Sequence, residues 1–497
     1  MWLPITHSRF ASKLMKFPPF LALRKIDVVT LTSIWFLAVV VSNTQAALSP
    51  LFIEGYAGRE SVAPGEKLTF HVSTSAAVFD LQIVRLGQDR DEVLRQTKLR
   101  GAQHAVPDKA SSEGCGWPVA HTLTIPESWR SGYYEVTLLA NDRGERYSER
   151  GARTAEGKCF FVVRPAQPGR DTKILLQLAT NTYNAYNNWG GHSLYAYNSR
   201  HGNQGSRVSF ERPPSSQFSR WELPFVRWAE RNGYRIDYAT NLDLEQRPEM
   251  LAEYRLVLSV GHDEYWSTPM RDALEAFIGR GGNVAFFSGN TCCWQVRTED
   301  GGKALTSWKQ NYLNDPAYIE GNNPLISTLW SHHLLKRPEN TLTGVGFLWG
   351  GFHRSHGMIM DGTGGYKVHR PDHWIFAGTQ LKAGDEFGTR DTIVGYECDG
   401  AELEWRGGLP YPTGRDGTPK NFAILATAPA KWHPGDAAWY GRDSGWTTER
   451  MGAGCLGLYT RGGTVFTAGT TDWSHGLTGN DPVVERITRN ILDRLSQ

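Results

Sequence analysis

Two periods of apolar and polar residues run along this chain, and the change from one to the other divides it. Between about 50 and 164, the runs 67–75, 79–87, 121–126, 133–140 and 159–163 are short and rich in β-branched or aromatic residues. Gly, Asp and Pro turns separate them. Leu68, Phe70 and Val72 alternate with polar neighbours, the pattern of a strand with one buried face. The expectation is a small immunoglobulin-like β-sandwich over 47–165. The stretch from Arg164 to Arg170, with Pro165, Pro168 and Gly169, reads as a linker.

From 171 to 497 the period changes. An apolar strand at 173–179 precedes a helix at 221–232 with Phe225 and Trp228 on one side. Further strands are expected at 234–238, 255–260 and 284–288. Ser267 caps a helix running to about 280, whose buried stripe is Met270, Leu274, Phe277 and Ile278, and Gly281-Gly282 stops it. Strands alternating with amphipathic helices imply a doubly wound parallel α/β sheet, here with long loop insertions. Beyond 300 the clearest strands are 392–396 and 464–468. The fold class is therefore multidomain α+β.

The first 46 residues add an address. Arg9, Lys13, Lys16, Arg24 and Lys25 precede the uncharged run 28–41, and Thr44-Gln45-Ala46 is a small-residue cleavage pattern. This reads as a signal peptide, so the protein is expected to be exported, with membrane anchoring if the signal stays uncleaved. The segment holds five of the 53 basic residues and one of the 51 acidic ones, leaving the remainder slightly acidic. No basic block tracks phosphates, which argues against nucleic acid. Six Cys suit disulfides in an oxidising compartment, with Cys115 and Cys159 the first candidate pair.

Candidate chemistry gathers where strands end. The third strand of the α/β part runs into Gly261-His262-Asp263-Glu264-Tyr265-Trp266. In extended backbone His262 and Glu264 project to one side and Asp263 to the other. The first strand runs into an Asn- and Tyr-rich loop, 180–191, and the fourth into Gly289-Asn290-Thr291-Cys292-Cys293-Trp294. Ligands bind beyond such carboxyl ends. Asn187 and Asn290 are candidate substrate-lining residues.

Four phrases are distinctive: Thr-Asn-Thr-Tyr-Asn-Ala-Tyr-Asn-Asn-Trp-Gly-Gly at 180–191, Gly-His-Asp-Glu-Tyr-Trp-Ser at 261–267, Val-Gly-Tyr-Glu-Cys-Asp at 394–399 and Thr-Ala-Gly-Thr-Thr-Asp-Trp-Ser at 467–474. In this order they resemble the large (beta) subunit of N,N-dimethylformamidase, over roughly 120 to 490. The resemblance implies a glutamine-amidotransferase-like sheet and a mononuclear Fe(III) on two tyrosines and a glutamate. Carried over, the metal ligands would be Tyr183, Glu264 and, from Ser131-Gly132-Tyr133-Tyr134, Tyr134 in preference to Tyr133. His262 and Glu397 would be the catalytic residues beside the metal. Hard anionic oxygen donors suit such a cation, and the implied reaction is hydrolysis of a C–N bond by a metal-activated water.

The expected partner is a small-molecule amide or a glycan-like substrate. A homo-oligomer is left open, and no small partner subunit is evident. The main alternative is a secreted glycan-handling protein using Glu264 and Glu397 as an acid/base pair. A thiol hydrolase on Cys292 or Cys293 lacks a nucleophile elbow, and the histidines from His332 to His373 lack tight ligand spacing.

Overall fold

The computed structural model describes residues 50–142, 153–354, 362–432 and 452–497. The signal segment expected at 1–46 lies outside them. From Ser49 to Gln497 the chain forms one compact unit of mixed α+β type. No helix among the described residues is long and apolar enough to cross a membrane.

Two sheets build the N-terminal sandwich. Ile53–Ala57, Lys67–Thr74 and Val119–Thr124 form one of three strands. Ser61–Val62, Arg153–Val163, Gly132–Asp142, Val78–Leu86 and Arg90–Arg100 form the other. Leu68, Phe70 and Val72 from the first meet Leu81, Ile83, Val136 and Phe161 from the second in a buried hydrophobic interior. The alternation in the sequence is thus the alternation of in-facing and out-facing positions.

The second sheet also has a buried outer face. Val84, Leu86, Tyr133, Phe160 and Val162 join one hydrophobic cluster with Leu176, Leu178, Phe225 and Trp228 of the following α/β part. The sandwich is therefore cemented to that part by core packing. Cys115 and Cys159 are buried in separate clusters, one beside Tyr56 and Trp117 and the other inside the sandwich. The expected disulfide between them does not form, and all six cysteines are free.

The larger sheet has eleven strands. Five adjacent strands run parallel in the spatial order Asp237–Thr240, Ile174–Leu178, Leu256–His262, Asn283–Gly289, Gly463–Thr467. The parallel pairing expected of this part holds for these. Beyond them, Gly452–Arg461, Ala423–Ala430, Tyr366–Val368 and Glu386–Phe387 pair antiparallel, so the sheet as a whole is mixed. Ser267 caps the helix Thr268–Gly279 by accepting from the Met270 amide, and Met270, Leu274, Phe277 and Ile278 are its buried stripe. Chain order reverses between Ile174–Leu178 and Leu256–His262, and the crevice at such a reversal is where open α/β sheets bind ligands.

Two expectations are corrected. The segment 180–191 is not all loop, because Thr180–Tyr186 is helical. The strand expected at 392–396 begins instead at Glu397 and runs to Gly400, because Thr392 has φ +54°, which breaks an extended run.

Candidate functional site

Glu264 is the centre of a buried polar cluster at the crevice. It leaves the end of Leu256–His262 after Gly261, whose φ of +79° turns the backbone and whose missing Cβ would lie 2.3 Å from Cβ of Trp221. Only glycine fits that close approach. Its own amide is held by Thr182 Oγ1 at 3.0 Å, which ties the strand end to the helix Thr180–Tyr186.

The Glu264 carboxylate receives three donors. Tyr186 Oη lies 2.8 Å from Oε2, Tyr195 Oη 2.7 Å from Oε1 and 2.9 Å from Oε2, and Trp294 Nε1 2.7 Å from Oε1. The two phenol oxygens are themselves 2.8 Å apart. His262 Nε2 stands 3.3 Å from Glu264 Oε2 and 3.0 Å from Glu397 Oε2. Those are ion-pair distances, yet neither Nε2 of His262 nor Oε2 of Glu397 has the alignment of a hydrogen bond. His262, Glu264 and Glu397 are all buried.

Glu397 arrives from another element. Its strand pairs with Gly346–Phe352, and its carbonyl accepts from the Thr471 amide at 3.1 Å. Gly289, at the end of the fourth parallel strand, allows this approach, since a Cβ there would lie 2.5 Å from Thr471 N and 2.8 Å from Glu397 O. His262 is enclosed by rings, with Tyr186, Trp221 and Tyr396 at centroid distances of 5.7, 6.0 and 6.4 Å.

Electrostatics follow from this crowding. Burial alone would lower the His262 pKa, but Glu397 and Glu264 outweigh it and hold it up at about 10. Burial would raise Glu264, but His262 and the Lys309 charge bring it below its ordinary value. Tyr186 is pushed well up by burial and by the Glu264 charge. Lys309 is fully buried, donates to Tyr265 Oη at 2.9 Å and lies 3.3 Å from the centroid of the Tyr195 ring. Burial brings its pKa down to about 7 against the opposing pull of Glu264.

The structure gathers His262, Glu264 and Glu397 as the sequence suggests, and His262 and Glu264 do project together. Asp263 points the other way and accepts from Ser259 Oγ at 2.8 Å. The tyrosines expected as ligands go elsewhere. Tyr183 donates its one proton to Glu222 and packs in the core against Phe160. Tyr134 donates to the Arg130 carbonyl at 2.7 Å and stacks on Trp129 inside the sandwich. Asn187 closes the helix end, bonded to the Pro213 carbonyl at 3.0 Å, and the Asn290 amide is held by Asp399 at 2.9 Å while its side-chain oxygen is buried with no partner among the described residues. Cys292 and Cys293 are buried, and burial raises both thiols, the wrong direction for a nucleophile.

Tyr186, Tyr195, Trp294 and Lys309 are the residues sequence reasoning missed. Tyr186 sits in the same phrase as Tyr183, three positions on. Once 180–186 is helical, the two rings face different surroundings, and the sequence carries no signal for choosing between them. Tyr186, Tyr195 and Glu264 together offer two phenol oxygens and a carboxylate, hard donors that fit a high-valent cation.

The N,N-dimethylformamidase beta subunit-like, C-terminal family model matches residues 80–486. The chain is 25% identical over 379 residues to an N,N-dimethylformamidase beta subunit from Alcaligenes sp, covering 64% of this chain and 45% of that protein. It is 24% identical over 454 residues to one from Paracoccus aminophilus, covering 76% and 54%. The chain thus spans about half the length of these curated relatives. With a family match over most of its length and the acidic, aromatic cluster lying inside it, the chain belongs to the N,N-dimethylformamidase beta subunit-like family.

Proposed function

We propose that this protein is an exported amidohydrolase that cleaves the C–N bond of small amides or formamides. The observation that carries the reading is the Glu264 carboxylate, buried and shared by two tyrosine hydroxyls, with His262 and Glu397 beside it. The expected ferric ion would be held by Tyr186, Tyr195 and Glu264, in place of Tyr134 and Tyr183. Such an ion supplies a Lewis acid for an amide carbonyl and lowers the pKa of a water.

This chain's own groups supply the rest. Trp294 fixes the rotation of the Glu264 carboxylate. Glu397, whose carboxylate stands 3.0 Å from His262 Nε2, is the group placed to accept the proton of the attacking water. That proton passes to the departing amine nitrogen, giving a carboxylic acid and an amine. Tyr396 and Trp221 wall the imidazole and keep bulk water from it.

We read the N-terminal sandwich as immunoglobulin-like and the five parallel strands as the amidotransferase-like core of the catalytic part. The relatives' designation as beta subunits supports a further subunit as a partner. The family match favours an amide over a glycan substrate. The test is a panel of small amides and formamides, N,N-dimethylformamide included, with iron-loaded protein and amine release as the readout. Turnover of an amide with none of a glycan supports the reading, and an inert amide panel beside a hydrolysed glycan overturns it.

A further inference from the structure

Arg212 is completely buried, and among the described residues no carboxylate pairs with it. Its guanidinium spends its donors on carbonyl groups. Nε donates to Ser209 O at 2.9 Å. One terminal nitrogen donates to Trp189 O at 2.6 Å and His192 O at 3.2 Å. The other donates to Asn187 O at 2.9 Å, Asn184 Oδ1 at 3.1 Å and Asn184 O at 3.5 Å. A buried guanidinium without an acid is a costly arrangement that persists only where its hydrogen bonds are all used.

The placement of those carbonyls gives the arrangement its meaning. Apart from that of Ser209, they lie at the end of the helix that carries Tyr186 and along the eight residues that connect Tyr186 to Tyr195. The last carbonyls of a helix lack intrahelical partners and form the negative end of its dipole, so a cation there satisfies both. The connecting segment itself is irregular and turns through Gly190 and Gly191, with φ of +82° and +118°. It has no ladder or helix of its own to fix its path. Scattered hydrogen bonds such as Leu194 N to Ala185 O and Trp189 Nε1 to Glu54 hold single points of it, while the planar fork of one guanidinium gathers several of its carbonyls at once, which an ammonium with three donors on one point cannot do.

We propose that Arg212 is a positioning residue that sets the 2.8 Å separation of the Tyr186 and Tyr195 hydroxyls on Glu264. Its functional consequence rests on the reading of those three residues as the working cluster, whereas its effect on the segment does not.

The experiment compares wild type, Arg212→Ala and Arg212→Lys by hydrogen exchange over 184–195, by absorbance after loading with ferric iron, and by both again with millimolar guanidinium. In Arg212→Ala the amides of 187–194 should exchange at least tenfold faster relative to the sandwich strands. Added guanidinium should restore both the protection and the charge-transfer band. Arg212→Lys should keep the fold and still lose protection there, and it decides the matter alone if the alanine variant does not fold. Wild-type protection in Arg212→Lys, or no recovery with guanidinium in a folded Arg212→Ala, would overturn the proposal. Wild-type protein that binds no iron while the exchange pattern holds removes the functional reading and leaves the positioning role standing.

Discussion

Tyr186 and Tyr195 place their hydroxyls 2.8 Å apart on one buried carboxylate, Glu264, although eight residues of irregular chain separate them. Neither phenol makes a substitutable core contact of the kind Tyr134 makes, and the difference is testable. Tyr134→Phe removes one hydrogen bond to a backbone carbonyl. It should cost about 1 kcal/mol of stability in urea unfolding and leave turnover unchanged. Tyr186→Phe should lower kcat/KM by about 100-fold or more, the range for losing one pre-organised electrostatic group. Equal activity losses in the two variants would contradict the placement of the site.

Lys309 separates stability from activity. Its amine is buried against the Tyr195 ring, and among the described residues no carboxylate is in hydrogen-bonding contact with it. Replacing a buried charge by an apolar side chain of similar length is commonly neutral or stabilising. Lys309→Met should therefore leave Tm equal or higher while kcat/KM falls about tenfold or more, in line with a desolvated cation–π contact worth ~2 kcal/mol. Calorimetry beside amine-release kinetics checks this, and a large fall in Tm with intact activity would refute it.

Gly261 carries the turn that presents His262 and Glu264. Gly261→Ala imposes an L residue at φ +79° and drives a methyl to 2.3 Å from Trp221 Cβ. Left-handed backbone alone costs an L residue about 1–2 kcal/mol, and the clash adds to it. Denaturant unfolding should show a loss of at least that size, and a neutral variant would mean that the backbone here relaxes freely.

A pH dependence follows from Glu339, far from the proposed ligands in sequence. Burial, aided by the Asp399 charge, raises its pKa from 4.5 to about 8. Between those values the unfolded chain loses the proton while the folded chain keeps it, so stability falls as pH rises from about 4.5 to 8. Glu339→Gln should flatten the Tm-against-pH curve across that window, by up to ~1.4 kcal/mol per pH unit for one group. A slope unchanged by the substitution would show that Glu339 does not titrate there.

Much of the scaffold was legible because burial repeats with the period of its element. The helix stripe from Met270 to Ile278 and the alternation of Leu68, Phe70 and Val72 are cases in point. His262 and Glu264 were legible because a strand end fixes which side chains share a side. The strand Arg90–Arg100 was missed because none of its side chains is buried and six of its eleven are charged, as edge strands often are. Tyr195 and Lys309 were invisible for another reason. They reach Glu264 only through tertiary folding of irregular segments, where neither period nor spacing records a neighbour.

The central claim is that Tyr186, Tyr195 and Glu264 form the metal-holding set. The most direct measurement is iron content together with visible absorbance of purified protein, in wild type and in Tyr186→Phe, Tyr195→Phe and Tyr183→Phe. The account predicts about one iron per chain and a tyrosinate-to-iron band in wild type, both lost or sharply reduced in the first two variants and kept in Tyr183→Phe. Loss of iron and colour in Tyr183→Phe with both retained in Tyr186→Phe and Tyr195→Phe, or colourless iron-free wild type that still hydrolyses amides, would contradict it.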